Sequence, residues 1–112
     1  MLTVESLREY GADVDTGIRR CAGKEELYLR LVKKIPDSES FAELDEAIAA
    51  NNLDAAFDAV HALKGICANL ALDPLLDPIS EITELLRSRT QMDYSPNVDK
   101  INSALDALKA LF

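Results

Sequence analysis

Histidine is nearly absent from this chain: one residue, His61, in 112. That excludes any site built on two histidine ligands, and no nucleophile motif of the Ser/His/Asp kind accompanies it. Cysteine is scarce as well. Cys21 and Cys67 stand in apolar helical contexts without C-x-x-C spacing, so neither a disulfide framework nor a metal site is indicated. The expectation is two reduced thiols in a cytoplasmic protein. Basic residues are the minority, 12 Lys and Arg against 20 Asp and Glu, for a net charge of −8. That balance argues against nucleic acid and against an anionic membrane surface, both of which need a basic face; a partner with a basic patch suits it better. No apolar run approaches the roughly 20 residues that span a bilayer, and no charged-then-apolar leader opens the chain. Internal repeats, low-complexity tracts and long blocks of like charge are missing too.

Strand signals are the last absence. There is no sustained period-2 alternation, and Ala, Leu, Glu, Asp and Lys dominate. What remains is an all-α chain of a length that suits one domain over residues 1–112, with an apolar fraction of 48%, enough to close a single core.

Punctuation divides the chain into helices. The first begins around Thr3 and stops at Gly11. Asp13 or Asp15 caps a second short turn that ends near Gly23, and Leu27, Leu31 and Ile35 form the inward stripe of a third helix, which stops at Pro36. Ser38 and Ser40 are candidate caps for a helix burying Phe41, Leu44, Ala47 and Ile48, Ser40 with Glu43 in capping-box spacing. Asn52 or Asp54 starts a long helix through Leu70. Asp73 and Pro74 read as cap and first-turn proline of the next, but Pro78 predicts a kinked start or one delayed to Asp77. Ser95 and Pro96 open the last helix, with Val98, Ile101, Leu105, Leu108 and Leu111 inward. Short connections between the longer helices imply antiparallel neighbours, hence an up-down four-helix bundle with one or two short additional N-terminal helices.

On a wheel of the Leu53–Leu72 segment, Ala56, Ala59, Val60, Leu63, Cys67 and Leu70 gather into one apolar stripe, and His61 points roughly 130–150° away from its centre. The commonest fate of a lone histidine, packing into the core, is disfavoured here. Positions three, four and seven further on share its face, and they are Lys64, Gly65 and Ala68. Phe57, one turn earlier, adds an apolar rim. A glycine inside a helix costs about 1 kcal/mol relative to alanine, so Gly65 wants a reason. Close approach of a partner surface to the imidazole is one. Imidazole, with a pKa of roughly 6.5 in water, is a competent neutral nucleophile toward phosphorus near pH 7, and Lys64 supplies charge within reach of any anionic group it receives.

The run Ala59-Val60-His61-Ala62-Leu63-Lys64-Gly65-Ile66-Cys67-Ala68-Asn69-Leu70 resembles the H-x-L-K-G signature of histidine phosphotransfer (HPt) domains. Upstream, Gly11 through Arg20 and Glu25 through Tyr28 resemble that family's opening, so the likeness extends over nearly the whole chain. The resemblance implies a two-component phosphorelay protein. His61 is then the phosphoacceptor, receiving a phosphoryl group from a receiver-domain aspartate and passing it to another response regulator. Lys64 is the electrostatic support and Gly65 the clearance position, while Phe57, Ala68 and Arg87 line the partner surface. It further implies a phosphocarrier rather than an enzyme, with no cofactor of its own. Mg2+ belongs to the receiver domain, and the partners are response-regulator receivers and a hybrid histidine kinase; the expected form is a monomer. Two positions depart from the family pattern: Ala71 stands where a glycine often follows the leucine, and Pro78 falls inside an expected helix. The competing class is a helical-bundle docking module that uses the same face without carrying phosphate. An enzyme with a buried acid-base pair has little support, because no cluster of titratable residues lies on an apolar face.

Overall fold

The computed structural model describes residues 1–112, in seven α-helices and no strand. Two seven-residue helices, α1 (Val4–Tyr10) and α2 (Val14–Arg20), open the chain. Then follow α3 (Glu25–Lys34), a 3-10 turn (Ile35–Asp37), α4 (Ser40–Ala49), α5 (Leu53–Asn69), α6 (Asp73–Arg87) and α7 (Ser95–Lys109). The particle measures 41 × 24 × 20 Å. α5 packs against both α4 and α6, and α6 against α7, so α5 lies between two neighbours with one face left over.

Local chemistry explains most boundaries. Thr3 caps α1 in a reciprocal pair with Ser6, and Gly11, at φ +113°, closes it in the left-handed region. Asp13 accepts from Thr16 N at the start of α2, and Asn52 accepts from Ala55 N at the start of α5. α4 does not follow the expected pattern: after the 3-10 turn that contains Pro36 the chain is extended at Ser38 and already helical at Glu39, which is the cap residue of α4 and makes no side-chain bond, so Ser40 lies inside the helix. Ser38 Oγ accepts from Ser40 N at 3.4 Å instead.

Four helices end alike on a residue other than glycine. After α2, α4, α5 and α6 the backbone turns left-handed at Ala22, Asn51, Ala71 and Arg89, with φ between +53° and +59°. The following N–H reaches back to Ile18, Ala47, Cys67 and Leu85 respectively. Ala71 thus keeps the conformation a glycine would favour, and its carbonyl accepts from Asp13 N at 3.0 Å.

α6 corrects the expectation of a delayed start. It is one helix from Asp73, with Leu72 rather than Asp73 as its cap residue and Pro78 inside it. The proline removes only the bond its N–H would have made to Pro74, whereas Leu75, Ile79, Ile82, Thr83 and Leu86 form one buried stripe that an interruption would break. In α3 the buried residues are Tyr28 and Val32, followed by Ile35; Leu27 and Leu31 are only half-buried.

The displaced stripe has a cause in α2. A Cβ built on Gly17 meets Tyr28 Cε1 at 2.3 Å and the Leu70 carbonyl oxygen at 2.8 Å, so the Tyr28 ring is seated where any side chain at position 17 would be. Tyr28 is fully buried and has nowhere to swing. Gly17→Ala is therefore expected to destabilise the fold by about 2–3 kcal/mol through overpacking, read as a lower urea midpoint at unchanged m-value. An unchanged midpoint would show that the ring is free to move.

Candidate functional site

α5 buries Leu53, Ala56, Ala59, Val60, Leu63 and Cys67, the stripe its periodicity predicts. His61 is exposed on the opposite side, and its ring stacks on Phe57, one turn earlier, with centroids 5.7 Å apart and planes at 24°. Phe57 is itself half-buried and covered by two cations from the end of α6: the Arg89 guanidinium carbon lies 4.6 Å from its centroid and that of Arg87 5.5 Å. Arg89 is the better anchored. Its Nε donates to Asp54 Oδ1 at 2.7 Å and its Nη1 to the Leu86 carbonyl at 2.8 Å. The left-handed turn at Arg89 reverses the chain there and brings that side chain back over α5.

Lys64 lies one turn beyond His61, and its Nζ is 3.9 Å from Glu84 Oε1. Gly65 is exposed, with no atom within 4 Å of where a Cβ would sit, so it is not a helix-crossing glycine. It opens onto a groove of about 630 Å³ between α3 and α5, lined by Leu31, Lys34, Ile35, Ile66, Asn69 and Leu70. Ala68, half-buried further along, lends its carbonyl to Arg20 Nη1, a cation placed at the C-terminal end of α5 where free carbonyls collect.

The geometry thus brings Phe57, His61 and Arg87 into one chain of stacked groups, with Lys64 and Gly65 on the next turn. Arg89 and Glu84, which the sequence does not single out, join them. No residue-type signal marks Arg89 as left-handed, since arginine has no preference for that conformation. Cys67, on the buried side of the same helix, is pushed up to about 12 by burial, so its thiol stays protonated near neutral pH. No group of three or more His, Cys, Asp and Glu side chains is arranged to hold a metal ion.

The Hpt domain family model matches residues 37–111. The chain belongs to the Hpt domain family. The matched segment holds α4 to α7 and His61, while α1 to α3, including the Gly11–Tyr28 stretch that resembles the family's opening, precede it. No curated protein and no solved structure gives a match. Hpt domains serve histidine phosphotransfer in phosphorelays, as carrier modules that work with receiver and kinase domains. None of the helices in this Hpt domain is long and apolar enough to cross a membrane.

The two arginines over Phe57 are separable. Arg89→Ala removes a cation–π contact, an ion pair and a carbonyl cap together, and is expected to cost about 1–2 kcal/mol in urea unfolding. Arg87→Ala, which loses only loose exposed contacts, should stay within about 0.5 kcal/mol of the parent. Equal costs would mean that Arg89 is not the anchor of Phe57.

Proposed function

We propose that this Hpt domain carries a phosphoryl group on His61, taking it from the aspartyl phosphate of a response-regulator receiver domain and passing it to another regulator. The observation that supports this best is the exposed imidazole on the outer face of α5, backed by Phe57, with Lys64 one turn on and open space over Gly65. In the step itself, an imidazole nitrogen lone pair forms the N–P bond as the P–O bond to the aspartate breaks. The carboxylate leaves, and the ring N–H proton passes to solvent. The chain needs to supply little beyond a positioned nucleophile and local positive charge; Mg2+ and the acidic residues that bind it belong to the receiver. The carrier is accordingly not an enzyme on its own and holds no cofactor.

Lys64 gives electrostatic support, Gly65 gives clearance, and Phe57, Ala68 and Arg87 line the docking surface. The connections 50–52, 70–72 and 88–94 are short, which supports an up-down arrangement of α4 to α7 as an antiparallel four-helix bundle. The whole of residues 1–112 then forms one domain, acting as a cytoplasmic monomer on receivers and on a hybrid histidine kinase.

The deciding experiment incubates the chain with a 32P-labelled phospho-receiver. Acid-labile, alkali-stable label on the chain is the expected result. Stable complex formation without any label would overturn the carrier reading in favour of a docking module.

A further inference from the structure

Glu84 stands between Lys64 and Arg87. Its Oε1 lies 3.9 Å from Lys64 Nζ, and its Oε2 lies 3.5 Å from Arg87 Nε. Arg87 Nη2 also reaches Oε1, at 3.5 Å. These separations exceed the roughly 2.7–2.9 Å of a firm charge-assisted hydrogen bond. The side chains are 37%, 62% and 53% exposed for Lys64, Glu84 and Arg87, so both pairs are loose and solvated.

Both cations lie on the same side of the bundle as His61. Lys64 shares its helix face at i+3, where Cβ atoms are about 5–6 Å apart, and Arg87 lies over Phe57, which stacks on the imidazole. A carboxylate is an unexpected third party at such a place. A phosphoryl group carries about −1.5 to −2 charges and three acceptor oxygens, and a fixed anion beside it offsets part of what Lys64 and Arg87 contribute.

We propose that Glu84 is an internal placeholder for the phosphoryl group: it holds Lys64 and Arg87 beside the acceptor while His61 is free, and yields them when His61 is phosphorylated. This rests on His61 being the acceptor. The phosphoryl group outcompetes the carboxylate because it brings more charge and more acceptor atoms to the same two cations. Glu84, already largely exposed, returns to water at little cost. The exchange breaks and makes ion pairs only; Glu84 forms no covalent bond. Its consequence is a phosphohistidine held less firmly than two unengaged cations would hold it, which suits a group that must be handed on. Glu84 is in this sense a positioning residue acting through Lys64 and Arg87.

The test uses phosphoramidate as a small donor, so that no partner protein is needed. Its P–N bond breaks as the bond from phosphorus to the His61 nitrogen forms, and the leaving ammonia takes the ring proton as ammonium. The second-order rate of loading of the full chain is followed by mass shift and 31P NMR, with circular dichroism to verify that each variant is folded. Glu84→Gln should load about threefold to fivefold faster than the parent, and Lys64→Ala slower by a similar factor. In a Lys64→Ala, Arg87→Ala background, Glu84→Gln should change nothing. Two results overturn the placeholder while leaving His61 as acceptor: an unchanged rate in the single variant, or the same acceleration without the two cations, which would make Glu84 a through-space repeller. Failure of every form to load overturns the acceptor reading itself and the placeholder with it.

Discussion

Replacing His61 with glutamine is expected to remove all phosphoryl transfer to the chain while leaving it folded. The imidazole is exposed and stacks on Phe57. Glutamine favours a helix at least as well as histidine, so the stability change should stay below about 1 kcal/mol. The chemical change, by contrast, is complete. An amide nitrogen has its lone pair delocalised into the carbonyl and cannot attack phosphorus. The thiol of the same helix cannot substitute, since Cys67 is buried and its pKa is pushed up to about 12. The measurement pairs the labelled-receiver assay with a urea titration of the same preparation. Acid-labile phosphate retained on a folded Gln variant would remove His61 from the mechanism. Lost label together with a collapsed urea midpoint would show a structural role instead.

Gly65→Gln should separate access from reactivity. Nothing in the chain occupies the space a side chain would enter at position 65, and glycine is the poorer helix residue, so the variant should be more stable by about 0.5–1 kcal/mol. Transfer from a receiver domain should nonetheless slow by one to two orders of magnitude, because a side chain there stands in the path of a docked surface one turn from the imidazole. Loading by a small donor should change less than threefold. That triple outcome, a stabler fold with impaired partner transfer and intact small-donor chemistry, is specific to a clearance role. Equal slowing with both donors would place the defect at His61 itself, and normal transfer from the receiver would mean that the glycine serves no partner.

Sequence and structure divide this protein unevenly. The periodicity of α5 alone places His61 outside and Ala56, Val60, Leu63 and Cys67 inside, as observed. The glycine stop at Gly11 is legible for the same reason, and so are the starts of α2 and α5 to within two residues, Asp13 and not Asp15 and Asn52 and not Asp54 being the caps: each depends on residues within one turn of itself. α3 is harder, because which of its faces is buried depends on the hollow at Gly17 that receives Tyr28, and that hollow is assembled from α2 and the end of α5. α6 likewise runs through Pro78, since one lost backbone bond weighs less than an unbroken buried stripe that only packing reveals.

The site shows the same division. His61, Lys64 and Gly65 share one helix, so the 3.6-residue period by itself set them on a common face. Glu84 and Arg87 reach that face from α6, and Arg89 from the turn that follows it. Whether they do depends on how α6 packs against α5 and on a left-handed turn at Arg89 that its residue type does not announce. Contacts within a helix follow from local geometry and can be read from spacing; contacts between helices follow from crossing and chain reversal, and only the tertiary structure decides those.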